Sequence, residues 1–260
     1  MSNNQTTVQT ILDWLNQTAP FDTQEEFDNA GLQIGYGKMP VSAVLVTLDV
    51  TEEVILEAAA LKANLIIAHH PLLFTPQRDL NLARFVPRLA GILIQHNIAL
   101  IAVHTNMDQA FQYSASFALA ELLNLKQIRQ QGKYLIIGDL SKPLDDEQLF
   151  QLILRTLKAP VRQYGKGKTL FSTLAIAGGA YSEGFEEASE AGAQALLTGE
   201  VRHHHAVEAV DMGIVLYDGG HYATEVPMLP PLALGLQTAL DTIEYPVQVH
   251  VTQCMPYRLQ

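Results

Sequence analysis

Short, unbroken apolar runs recur along this chain, and three of them stop abruptly at side chains that bind metals. Leu65-Ile66-Ile67-Ala68 leads into His69-His70, and Ala102-Val103 into His104-Thr105-Asn106-Met107-Asp108. Tyr217 is followed by Asp218-Gly219-Gly220-His221-Tyr222-Ala223-Thr224-Glu225. A strand covered on both faces reads as a continuous apolar run because neither side meets water, which points to a parallel sheet flanked by helices. Open α/β sheets build their sites just beyond the carboxyl ends of such strands. His69, His70, His104 and His221, with Asp108 and Glu225, are therefore expected on the side where a site would form, with enough nitrogen and oxygen for two metal ions.

Between the runs lie helical patterns. Helices are expected near residues 7–16, 51–62, 82–96, 114–123, 145–157, 183–191 and 229–240, with a further one running from His203 to about Val210. Thr51 is a plausible N-cap. Strands are expected at 44–50, 65–68, 98–103, 134–138, 170–177, 195–197, 214–217 and 247–251, and 28–35 reads as a turn-rich segment. Strand and helix alternate with short joints, the pattern of wound sheets. The expectation is an α/β protein of two α/β domains with mixed, largely parallel sheets. Residues 1–124 with 214–260 form a metal-binding domain, 125–213 form a second domain inserted into it, and a dinuclear metal site occupies the cleft between them.

Composition removes several function classes. Hydrophobic residues are 48% and charged residues 17%, which favours a packed chain over a disordered one. The formal net charge of -11 repels phosphate backbones, so nucleic acid is not an expected partner. A lone cysteine, Cys254, leaves no pair for a disulfide and no thiolate cluster for zinc or iron–sulfur. The start has no basic n-region, and no apolar stretch reaches the ~20 residues of a membrane span, so a soluble cytoplasmic protein with no membrane partner is expected.

Five segments, taken in order, resemble the Nif-three-like family, whose members often carry the label GTP cyclohydrolase 1 type 2 homologue. They are Asp28-Asn29-Ala30-Gly31-Leu32-Gln33-Ile34-Gly35, His69-His70-Pro71-Leu72-Leu73-Phe74, His104-Thr105-Asn106-Met107-Asp108, Thr198-Gly199-Glu200 before His203-His204, and Gly220-His221-Tyr222-Ala223-Thr224-Glu225. The resemblance runs from about residue 10 to 240. It implies two α/β domains, a dinuclear metal centre and a ring-like homohexamer, with His69, His70, Asp108, His221 and Glu225 as metal ligands. It further implies a two-metal hydrolase acting on GTP or another nucleotide or heterocycle. A non-catalytic metal-binding or partner-binding protein is the alternative. The chain departs from many members after Asp108, where Phe111-Gln112-Tyr113-Ser114-Ala115-Ser116 replaces a Gly-Val-Asn stretch, and it lacks the central insert of longer ones.

The residues suit that ligand set. Adjacent side chains at a strand end point to opposite sides, so His69 and His70 could each serve a different ion. His221 and Glu225 are spaced to share a helix face, with Glu225 placed to bridge. Mixed imidazole and carboxylate donors favour Zn²⁺, Mn²⁺, Fe²⁺, Co²⁺ or Ni²⁺, two per chain, over Mg²⁺ or Ca²⁺. His104 is either a sixth ligand or a general acid or base. Asp49 is placed to accept a ring N–H from a ligand histidine. Glu200 and His204 are proton-transfer candidates, against a plain solvated helix start. Gly178-Gly179 is either a tight turn or an anion cradle. No Walker-type loop is present, and a small-molecule substrate would be held by other means.

Overall fold

The computed structural model describes residues 5–167, 170–242 and 247–257. Two units emerge along the chain: residues up to Ala110 together with those from Leu229 onward, and Phe111–Met228 between them.

The first unit opens with α1 (Val8–Thr18), started by a capping box between Thr7 and Thr10 and packed through Val8, Ile11 and Leu15. There follow β1 (Gly31–Ile34), β2 (Ala43–Thr47), α2 (Glu52–Ala60), β3 (Leu65–Ala68), α3 (Phe85–Gln95), β4 (Ala99–Ala102) and the short α4 (Thr105–Asp108). Thr51 caps α2 as expected, its side chain accepting from the Val54 amide. The second unit carries α5 (Ala115–Leu122), β5 (Lys126–Gln131), β6 (Leu135–Leu144), α6 (Asp146–Leu157), β7 (Arg162–Tyr164), β8 (Phe171–Ala177) and α7 (Phe185–Glu190). It ends with β9 (Ala195–Thr198), α8 (His203–Met212), β10 (Val215–Asp218) and α9 (His221–Glu225). The chain then returns to the first unit as α10 (Leu229–Leu240) and β11 (Gln248–Val251).

In the first unit the strand order is β1-β4-β3-β2-β11. All pairs are parallel except β1 against β4. Every residue of β2, β3 and β4 is buried, which is why those strands read as apolar runs. One face packs Leu45, Ile66 and Leu100 against Val54, Ile55, Leu89 and Leu93 of α2 and α3. The second unit has the order β5-β6-β8-β9-β10-β7. Here β8, β9 and β10 run parallel, while β5, β6 and β7 pair antiparallel. The two sheets are mixed, as expected of the α/β class.

The domain limits expected at 125–213 are moved outward by these pairings. β10 is hydrogen-bonded to β9 from Val215 to Asp218, so 214–228 go with the second unit rather than the first. Residues 111–124 go the same way because Leu119, Ala120 and Leu123 belong to the core under β6 and β8. β1, β5 and β7 are not among the expected strands. β1 is only partly buried, β5 is almost wholly exposed and polar, and β7 is a three-residue edge strand, so none carries the apolar signature of the inner strands.

Candidate metal centre

β3 ends at Ala68, yet its pairing continues: the His69 amide donates to Thr47 O at 3.0 Å and the His70 amide to Leu48 O at 2.9 Å. Both histidines lie in the bend past the last strand residue, where alternation of sides no longer applies. Their rings therefore converge instead of diverging, with centroids 5.0 Å apart. His104, just past β4, completes the group, and one ring nitrogen from each of the three lies within 4.8 Å of the others. Asp108, at the end of α4, brings Oδ1 to 3.8 Å from His69 Nε2.

Each ring is oriented through Nδ1. His69 Nδ1 meets the Val103 carbonyl at 2.8 Å, His70 Nδ1 the Asp49 carboxylate at 2.9 Å and His104 Nδ1 the Asp28 carboxylate at 2.9 Å. Carbonyls and ionised carboxylates only accept, so the neutral rings carry their proton on Nδ1 and present the Nε2 lone pair. That is the outer arrangement of metal-ligating histidines. Asp49 takes the position anticipated for it. In the sequence Asp28 stands only in a turn-rich motif, and nothing there marks it as an orienting partner. Burial alone would raise the Asp28 pKa, but hydrogen bonds from His104 and Thr105 outweigh it and hold the carboxyl well below the usual carboxylate range. Asn106 fixes the same corner, its amide donating to Ala19 O and its Oδ1 accepting from the His104 amide.

In the second unit α9 places His221 and Glu225 one turn apart, with His221 Nε2 3.1 Å from Glu225 Oε1. His221 Nδ1 lies 2.7 Å from Glu200 Oε1. Glu200, expected as a proton-transfer group, is thus engaged as an orienting partner of His221. His204 is exposed on α8 and packs edge-on against His205 at 4.2 Å, outside the metal-ligand groups found among the described residues. The anion-cradle reading of Gly178-Gly179 does not hold: the two amides donate to Ser116 Oγ and Thr224 Oγ1.

These residues suit a divalent cation. Three imidazoles converge with Nδ1 bonded outward, the orientation that metal-ligating histidines adopt. Glu225 is only 5% exposed, and a buried carboxylate is costly unless paired or coordinated. The donor set is nitrogen and carboxylate oxygen without thiolate, which matches the late first-row ions named above.

The profile of Duf34/NIF3 (NGG1p interacting factor 3) matches residues 6–256. The chain belongs to the NIF3 family. Among relatives, a Nostoc sp. protein named GTP cyclohydrolase 1 type 2 homolog is 35% identical, covering 84% of this chain and 86% of its own. The Helicobacter pylori protein named GTP cyclohydrolase 1 type 2 is 33% identical with the same coverage. A hypothetical protein of Staphylococcus aureus with a solved crystal structure superposes with a TM-score of 0.90 at 27% identity, over 98% of this chain and 99% of that one. Membership of the NIF3 family thus extends over nearly all of the described chain. Among the described residues no helix is long and apolar enough to cross a membrane.

Proposed function

We propose that this NIF3-family chain is a dinuclear metal-dependent hydrolase of a small nucleotide or heterocyclic substrate, with His69, His70, Asp108, His221 and Glu225 as ligands to two divalent transition-metal ions. The observation that carries it is the common orientation of His69, His70, His104 and His221, each held at Nδ1 by a carbonyl or carboxylate. Orientation of that kind sets both tautomer and direction in a metal ligand. The relatives' names support the cyclohydrolase class.

Bound divalent ions supply an acidified water and a polarised substrate oxygen. The chain supplies the rest. Asp49, Asp28 and Glu200 hold Nδ1 of their histidines and so aim Nε2. His104, hydrogen-bonded to Asp28, is the residue we assign to hold or pass a proton at Nε2 to a leaving group. The ring-like homohexamer and a cytoplasmic location belong to the same reading. The family description's term "interacting factor" supports a second one, in which the metals are held without turnover and the chain serves a partner.

Elemental analysis of untagged protein, paired with hydrolysis assays on nucleotides and cyclic amides, tests both. About two ions per chain with metal-dependent release of one product is expected, and His70→Ala or Glu225→Ala should lower the metal content with the fold retained. Metal without turnover favours the partner-binding reading, and unchanged stoichiometry in both variants refutes the ligand assignment. Sedimentation should give a particle of six chains.

A further inference from the structure

A cavity of about 800 Å³ opens in the first unit, within the size range of small-ligand pockets. Phe27 and Phe74 line it, 65% and 44% exposed, with ring centroids 6.3 Å apart in an edge contact. Phe74 meets His104 edge-on at 6.1 Å, and His104 lies 5.2 Å from His69 and 5.7 Å from His70. A file of rings therefore runs from the cavity to the converging imidazoles. Asp28 belongs to both, lining the cavity while its carboxylate holds His104.

The wall is tied together before any ligand arrives. Asn29 Nδ2 donates to Leu73 O at 2.6 Å, and Gln33 Oε1 accepts from the Leu73 amide at 2.9 Å. Gln33 Nε2 donates back to Asn29 O at 2.8 Å. The loop that carries Phe74 is thus bonded to the segment that carries Phe27, so two exposed rings are held in fixed relation. Keeping them in water forgoes the gain of burying apolar surface, about 25 cal/mol per Å². Glu26 is the exposed charged residue of the lining, since the Asp28 carboxylate is fully buried and bonded to His104 and Thr105, and the described lining contains no Lys or Arg. A phosphate chain would meet like charge at Glu26 without a counter-charge, whereas N–H groups would meet an acceptor there.

We propose that this cavity binds a planar heteroaromatic ring bearing N–H or amino groups, laid against Phe27 and Phe74 with its edge toward His104, and that it does not hold phosphates. The direction toward His104 rests on the hydrolase reading. Ring binding itself requires no metal.

Calorimetry on the full chain stripped with a chelator tests it, using guanosine, 2-aminopyrimidine and inorganic triphosphate as probes. At least one ring probe should bind saturably and triphosphate should not. Phe27→Leu and Phe74→Leu, which keep an apolar side chain at an exposed position, should each weaken ring binding about tenfold with melting unchanged. The proposal is overturned if neither ring probe binds, if triphosphate displaces the ring, or if both variants bind it at full strength. It is also overturned if the variants change only the oligomeric mass, which would make this face a contact between copies. Normal metal content without ring binding sinks this proposal alone, and ring binding by a chain that takes up no metal sinks the hydrolase reading alone.

Discussion

Gly179 leaves almost no room beside His221 and Glu225, the proposed ligands on α9. A Cβ built there would stand 2.3 Å from Glu225 Oε1, 3.3 Å from its Cδ and 3.5 Å from His221 Nε2. An ordinary carbon–oxygen contact needs about 1 Å more than the first of these. The atom in the way is the far end of a side chain, so Gly179→Ala should push the Glu225 carboxylate aside rather than unfold the unit. Gly179 also has φ +67°, where alanine costs about 1–2 kcal/mol. The fold should therefore lose about 1–3 kcal/mol in urea unfolding. Metal sites tolerate only ~0.2 Å in ligand distance, so a shift of about 1 Å should weaken metal binding about 100-fold. Gly192→Ala is the matched control, since Gly192 has φ +84° and nothing within 4 Å of its hypothetical Cβ. It should show the backbone cost and unchanged metal affinity. Chelator-competition calorimetry reads both. Equal metal affinity in wild type and Gly179→Ala, or an equal loss in Gly192→Ala, would refute the reasoning.

Asp49→Asn keeps the size of the His70 partner but allows the amide to present N–H instead of a carboxylate oxygen, so metal affinity should fall about 10- to 100-fold with melting little changed, as titration would reveal. Tyr217 is fully buried, and its hydroxyl has no hydrogen-bond partner among the described residues. Tyr217→Phe should leave stability equal or raise it by about 1 kcal/mol in urea. Burial, then the nearby Asp146 charge, raises the Tyr217 pKa. The folded state therefore favours the neutral phenol, and its contribution is intact below about pH 10 and lost as pH rises further, when the unfolded chain ionises first. An alkaline unfolding series should show that decline in wild type and less of it in Tyr217→Phe. Thr51→Ala removes the α2 cap and should cost about 1 kcal/mol, measured by denaturant midpoint.

The inner framework was readable because burial on both faces leaves a plain mark. β2, β3, β4, β9 and β10 all appear as apolar runs near their observed limits. Edge strands carry no such mark, and Lys126–Gln131 reads as loop because its side chains face water. The candidate ligands were legible as residue types at strand ends, and Asp49 as an acceptor at the end of the neighbouring strand. Asp28 was not, since its partner His104 lies 76 residues away and only the folded chain brings them together. Nor could spacing show that His69 and His70 converge. That depends on the bend after Ala68 ending the alternation of strand geometry.

The ladder bonds from the His69 and His70 amides to Thr47 O and Leu48 O carry the sheet one step past its formal end. Residues that bind ligands are commonly drawn from the mobile fringe of a fold, where backbone openings are frequent. These two amides should instead exchange with deuterium as slowly as their neighbours in β3. The conformational entropy of fixing that backbone is lost once, at folding, and not again at each encounter with an ion. If His69 and His70 are ligands as proposed, uptake of an ion would be limited by its dehydration and by access to the rings, not by rearrangement of the residues that receive it.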